Sequence, residues 1–291
     1  MSDEVFVIGV GITKFGEHWN KQPRDLFAEA ALEAVKEAGI ELREIEALFV
    51  GSMSPGQWIE QENLAPLLAS HLGLQGIPAI RVEGGDASSA LAFYEAYTAI
   101  KAGEYDLVLA AGVEKTTDAS PEESVHHTSS SLDREFEAFM GNTLAGAYAM
   151  MARAHMMKYG TTREQLALVA VKNHEHAMNN PKAQFRRKIS VESVIKSPIV
   201  AEPLRMLDGA PLSDGSAVAI LASRRVAKEM KRDLIRVLGV GIATDQMALH
   251  DRVDISFLSS TKRASSIAYR KAGVSPKEVN VAELHLSLIH I

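Results

Sequence analysis

The sequence predicts an α/β fold: a duplicated, layered α-β-α core with a helical insertion in its first half and an incomplete second half. Three observations predict it. Strand and helix signals alternate up to residue 115, a long helical and polar stretch then interrupts them, and short echoes of the opening return near the end.

Val5 to Val10 is a β-branched run ending among Gly9 and Gly11, and reads as a strand. Leu26 to Ala38 carries apolar residues at helical spacing (Phe27, Ala30, Ala31, Ala34, Val35, Ala38), with Gly39 placed to end the helix. Ala47 to Val50 reads as a buried strand closed by Gly51. Asn63 to Leu72 reads as a helix stopped by Gly73, and Ala79 to Val82 as a strand. A helix over Asp86 to Ala102 stops at Gly103, and a strand over Leu107 to Ala111 stops at Gly112. Such alternation implies parallel βαβ units.

From Glu114 to Arg205 the pattern changes. Ser120 to Asp133 reads as a polar loop, and Leu144 to Tyr159 and Glu164 to Met178 as helices, with Thr161 and Glu164 spaced as a capping box. No buried strand is expected before Ala217 to Leu221. Then Val237-Leu-Gly-Val-Gly-Ile-Ala-Thr244 echoes Val7-Ile-Gly-Val-Gly-Ile-Thr13. Ala272-Gly273-Val274 and the apolar run to Leu284 echo Ala38-Gly39-Ile40 and the run to Val50. The expected organisation is residues 1–115 with 206–230 as the first core half and 116–205 as the insertion. Residues 231–285 would start a second half that needs on the order of 100 further residues. The last six, Leu286-Ser-Leu-Ile-His-Ile291, read as a non-native tail, because they match the translation of a transposon-end adapter.

The 291 residues suffice for more than one folding unit, and the formal net charge of −6 argues against general nucleic-acid binding. No apolar run approaches a membrane span, and Met1-Ser-Asp-Glu4 lacks the basic start of a signal peptide, so a cytoplasmic place is expected. The chain has no cysteine, which excludes disulfides, thiolate metal sites and cysteine nucleophiles within it. Gly9 and Gly11 suggest a dinucleotide loop, but position 14 is Lys and the fingerprint breaks. His174 and His176 are two apart on a helix and point in different directions, and His126 and His127 have no evident third ligand. No metal site is expected.

Several segments, in order, resemble the thiolase superfamily, in its archaeal acetoacetyl-CoA and sterol-carrier branch. They are Val7–Gly16, Gly84-Gly-Asp-Ala-Ser-Ser-Ala-Leu-Ala92, Ala102–Lys115, Phe139-Met140-Gly141, Asn179–Phe185, Pro211–Ser216 and Val281-Ala-Glu-Leu-His285. The resemblance covers nearly the whole stretch to His285. It implies chemistry on coenzyme A thioesters as substrates, with no covalently bound cofactor: acetyl transfer by condensation or thiolysis of 3-ketoacyl-CoA. That chemistry needs a thiolate to carry the acyl group, proton-handling bases and donors for two oxyanions.

Asp86 stands at the family's nucleophile position. A carboxylate attacking a thioester would give a high-energy mixed anhydride. Two readings follow: a helix N-cap left at a former nucleophile site, or an altered activity such as electrostatic handling of the thioester. His285 matches the family's oxyanion-hole histidine and is equally an ordinary strand-end residue. Met140 is expected beside the pantetheine channel or in the core. Arg186, Arg187 and Lys188 belong to a basic stretch that the resemblance places on the coenzyme A side, or form a solvated loop face. The family's second cysteine and activating histidine are expected beyond this chain. The resemblance further implies a homodimer or tetramer. It also implies contact with 3-hydroxy-3-methylglutaryl-CoA synthase through a small OB-fold, zinc-ribbon protein, which a non-catalytic copy could keep.

Overall fold

A computed structural model describes residues 4–230 and 233–285. Strand β1 (Val5–Ile12), helix α1 (Pro23–Ala38), strand β2 (Ala47–Gly51), the single-turn helix α2 (Pro55–Trp58), helix α3 (Leu64–Leu72), strand β3 (Ala79–Val82), helix α4 (Ser88–Ala102) and strand β4 (Leu107–Glu114) come first. Helices α5 (Pro121–Ser129), α6 (Leu144–Tyr159), α7 (Arg163–Ala177) and α8 (Val191–Lys196) follow, then a hairpin of β5 (Ile199–Ala201) and β6 (Leu204–Arg205). Strand β7 (Gly215–Ser223), helix α9 (Arg224–Glu229), strand β8 (Ile235–Val237) and helix α10 (Ser259–Ala272) complete the described elements. Among the described residues, no helix is long and apolar enough to cross a membrane.

The chain divides into two compact units. One comprises Met1–Ala119, Ser213–Gly241 and Arg270–Gly273, the other Ser120–Leu212, Ile242–Tyr269 and Val274–Ile291. The first unit is built on a sheet ordered β3-β2-β4-β7-β1-β8. Strand alternation sorts its two faces. Leu107, Leu109, Ala111 and Val113 of β4 pack with Leu26, Phe27, Ala30 and Ala34 of α1 and with Leu64 and Leu68 of α3. Val108 and Ala110 of the same strand pack with Ala92, Ala96 and Ile100 of α4. Helices therefore cover both faces, as the layered fold requires.

The four strands of the first stretch run parallel, as their alternation with helices implies, since β1 and β4 are each antiparallel to β7. β2 is parallel to β3 and β4, but β7 is antiparallel to β4 and β1, and β8 is antiparallel to β1. A buried apolar run does not encode its direction; the connections do. The glycines of the broken dinucleotide motif serve packing. A Cβ on Gly9 would lie 2.4 Å from the Ala34 carbonyl oxygen, and one on Gly11 1.9 Å from that of Ala30, so their absence lets α1 approach β1.

The echoed segments are met in part. The strand expected over Val237–Thr244 ends at Val237, α10 forms, and Val279 to Leu284 is exposed and not a strand. A strand needs a ladder partner, and none is present for these residues among those described. The stretch 231–285 is shared between the two units. The tail 286–291 lies outside the described residues.

In the second unit, three small clusters hold the helices. One joins Leu132, Ala147, Met151 and Leu249, a second Ala149, Ala152 and Leu204, and a third Ala167, Ala170 and Val194. The expected loop after Ser120 is instead helix α5. Ser120 accepts from the Glu123 N–H, Glu123 accepts from the Ser120 N–H, and Pro121 opens the helix. For α7 the capping box is Thr162 with Gln165, one residue later than the expected Thr161 with Glu164. The β5–β6 hairpin leaves Ile199 and Val200 exposed, so it adds no buried strand.

Candidate active site

The parallel strands β3, β2 and β4 end together, with Gly51 in register with Val82 and with Gly112. Crevices at the carboxyl ends of parallel strands are the usual place for ligands in α/β sheets. Two glycines bring α4 into this place. A Cβ on Gly51 would lie 2.4 Å from the Ser88 and Ser89 backbone, and one on Gly112 2.1 Å from Ser89 Oγ. The helix start therefore rests directly on the ends of β2 and β4.

Asp86 is exposed in the 3₁₀ turn Gly85–Ala87, between β3 and α4. The expected cap role is corrected. The helix begins at Ser88, its N-cap residue is Ala87, and no cap side chain bonds back into the first turn. Ser88 does the local work instead. Its buried hydroxyl accepts from the Gly84 N–H at 3.0 Å and donates to the Gly85 carbonyl at 2.6 Å. Gly85 takes φ of +59°, which a residue with a Cβ adopts only at a cost. The turn is thus set by Gly84, Gly85 and Ser88, and Asp86 is presented just ahead of the positive end of α4.

A second carboxylate belongs to this place and was not singled out in the segment Ala102–Lys115 that contains it. Glu114 ends β4, and its Oε1 accepts from the Met53 N–H and from the Ser52 hydroxyl at 3.0 Å. The Arg81 guanidinium donates to the Ser52 and Met53 carbonyls, at 3.2 Å each. Burial pushes the Glu114 carboxyl up from its ordinary range. The bonds from Met53 and Ser52 and the charge of Arg81 oppose this, and the charge of Asp86 adds to it. Glu114 is thus a carboxyl raised by burial that also feels the charge of Asp86. Only the strand pairing brings Arg81, Glu114 and Ser52 together, so spacing along the chain does not reveal them.

The other expected residues belong to the second unit. Met140 and Phe139 are largely exposed after the π-helical turn Arg134–Ala138. Met140 is therefore not a core residue. Arg186, Arg187 and Lys188 are exposed. Arg186 donates to the Met178 carbonyl at 3.0 Å, Arg187 lies 5.5 Å from the Phe185 ring, and Lys188 is 3.7 Å from Glu175. His285 is exposed and ends no strand, which corrects its expected setting at the end of a buried one.

Known proteins are similar to this chain in sequence and in fold. The family described as thiolase, N-terminal domain, matches residues 5–225. The acetyl-CoA acetyltransferase of Methanothermobacter thermautotrophicus is 46% identical over 282 residues, covering 97% of this chain and 73% of that protein. The chain belongs to the thiolase family. Solved structures agree in fold. The Ltp2-ChsH2(DUF35) aldolase superposes with a TM-score of 0.80 at 24% identity, over 95% of this thiolase chain and 71% of its own. Human mitochondrial 3-ketoacyl-CoA thiolase in complex with CoA superposes with a TM-score of 0.72 at 19% identity, over 98% and 79%.

Proposed function

We propose that this thiolase-family chain binds acyl-CoA thioesters and handles them electrostatically at Asp86, without carrying the acyl group covalently. The name of the 46% identical relative, acetyl-CoA acetyltransferase, supports the substrate class. The observation that carries the rest is Asp86 at the turn before α4, in a chain without cysteine. A thioester exchanges its acyl group with a thiolate at little net cost. A carboxylate would have to form an anhydride, uphill from the thioester. The arrangement can still present the Asp86 carboxylate to a bound thioester, and the raised Glu114 carboxyl can take or return a proton. Met140, Arg186, Arg187 and Lys188 are proposed for the coenzyme A side, and His285 for an oxyanion contact.

The test is intact-mass analysis after incubation with acetyl-CoA and acid quench. The parent protein is expected to stay unmodified and Asp86→Cys to gain an acetyl group. A stable acetyl adduct on the parent, or thiolysis of acetoacetyl-CoA by it, would overturn the reading. A second reading is a partner-binding subunit, in a homodimer, a tetramer or a larger assembly. The fold neighbour at TM-score 0.80, Ltp2-ChsH2(DUF35) aldolase, carries a DUF35 component in its name, and this favours the second reading. An OB-fold, zinc-ribbon protein and 3-hydroxy-3-methylglutaryl-CoA synthase are the proposed partners. Co-expression with each, followed by size-exclusion chromatography, separates this reading from the first.

A further inference from the structure

One side chain holds both ends of the loop that leaves β2. Arg81 lies on β3, in register with Val50 of β2. The ladder goes one step further, where the Ser52 N–H donates to the Val82 carbonyl at 3.3 Å. Arg81 Nη1 then donates to the Ser52 and Met53 carbonyls, and its Nη2 lies 3.7 Å from the Glu62 carboxylate at the far end of the loop. Glu62 is largely exposed, so that ion pair is worth little, and the two carbonyl bonds carry the clamp. The loop itself is under strain. Glu60 and Asn63 take φ of +55° and +50°, left-handed values that a residue with a Cβ adopts only at a cost. Such a backbone persists where its surroundings over-determine it.

The clamp reaches Glu114 through a single peptide unit. The Ser52 carbonyl and the Met53 N–H belong to one planar trans peptide, so they point in opposite directions. Turning that carbonyl onto Arg81 therefore turns the N–H onto the Glu114 Oε1 that accepts it. The neighbouring Ser52 hydroxyl donates to the same oxygen. Arg81 also supplies positive charge at Glu114, against the negative charge of Asp86. The other elements around Glu114 add no cation. β7 sets Gly215 opposite it, and Lys115, next in the chain, is engaged by Asp214 and Asp118.

We infer that Arg81 is a positioning residue, which fixes the Ser52–Met53 peptide, keeps the Met53 N–H on Glu114, and so sets the pH range in which Glu114 exchanges its proton. This deepens, and rests on, the proton-handling role proposed for Glu114. A lysine could restore the charge but not the role, because a point charge on a flexible stem lacks the planar fork that spans two carbonyls.

Infrared difference titration of the full chain follows the Glu114 carboxyl, assigned by its loss in Glu114→Gln, in the parent, Arg81→Met and Arg81→Lys. Losing the charge and losing the N–H bond each favour the protonated form. Arg81→Met is expected to move the midpoint upward, and Arg81→Lys to move it upward by less. Hydrogen exchange over residues 52–62 should quicken in both variants, and melts check that each is folded. Exchange of the acetyl-CoA C2 protons with D2O, followed by NMR, reads the proposed role separately. Glu114 takes a proton only when ionised, so below the midpoint the exchange rate should fall about tenfold for each unit by which the midpoint has risen. An unmoved midpoint in Arg81→Met would overturn the inference, whether or not exchange is seen. A parental midpoint in Arg81→Lys would show charge acting alone and would overturn the positioning role. A raised midpoint in both variants, with no C2 exchange in the parent, would support the clamp and sink the proton-handling reading of Glu114.

Discussion

Lys115 follows Glu114 directly, yet its ammonium is wholly buried and lies 2.9 Å from an equally buried Asp214 carboxylate. Asp214 also accepts from the Thr116 and Thr117 N–H groups, the Thr117 hydroxyl and the His18 N–H. Burial alone would raise its carboxyl, but the bonds from Thr117, Lys115, His18 and Thr116 outweigh it and hold it below the ordinary range. A carboxyl depressed on folding stabilises above its unfolded value, near about 4, and loses that contribution as pH falls through the folded one. Asp214→Asn should therefore cost roughly 3 kcal/mol at pH 7, because Lys115 stays buried with only Asp118 as an acidic partner. Its deficit against the parent should shrink below about pH 4. Thermal melts at pH 7 and pH 3 check this, and an equal gap at both would contradict it. The sequence shows Asp86 plainly, since it interrupts a recognisable segment. Glu114 and Asp214 lie inside segments that carry the resemblance and Arg81 lies in none, but the setting of all three comes from burial and strand pairing rather than spacing. The cap role assigned to Asp86 fails for a local reason: a glycine pair with φ of +59° at Gly85 makes a 3₁₀ turn before the helix starts.

Among elements, α4 shows how tightly placement is set. Its start has room only because of Gly51 at the end of β2 and Gly112 near the end of β4. Gly51→Ala would drive a methyl group into the Ser88–Ser89 backbone, which cannot rotate away as a side chain can. The expected result is a loss of about 1–3 kcal/mol and a shifted turn at Asp86. Denaturant titration reads the first and a change in acyl-CoA affinity the second; a neutral outcome in both would show that α4 is not held there. Elements of this unit were largely readable, because α1 shows its full apolar stripe and Leu107–Ala111 is continuous and buried. The parallel direction of β1 to β4 was readable from their alternation with helices, whereas the antiparallel entry of β7 after the long insertion was not. Helix α5 was readable in principle. Ser120-Pro-Glu-Glu123 is a capping signature, but the polar residues after it masked the helix. The strand expected at Val279–Leu284 has suitable residues and no ladder partner among those described, and composition cannot supply one.

At the scale of the whole molecule, the two units have unequal cores. The first has one large cluster that runs from Ile8 through α1, α3 and β4 to Ala222, with a second on the other face of its sheet. The second unit is held by three clusters of three or four buried residues each, among those described. Apolar burial contributes roughly 25 cal/mol per Å², so the smaller clusters hold their helices by less. Regions with few buried contacts open by sub-global unfolding, at a lower free energy than the global one. Amide hydrogen exchange followed by mass spectrometry should therefore find its slowest peptides in α1, β4 and β7. Peptides from α6, α7 and α8 should exchange earlier, through a common opening. Mild denaturant should raise the first class steeply and the second only slightly, since a smaller opening exposes less surface. The Thr143 and Thr162 caps and the Lys158–Asp254 contact act against fraying of single helices, so the second unit should open as a body rather than end by end. Equal protection in the two units, with the same denaturant dependence, would show that they unfold as one and that core size does not rank them.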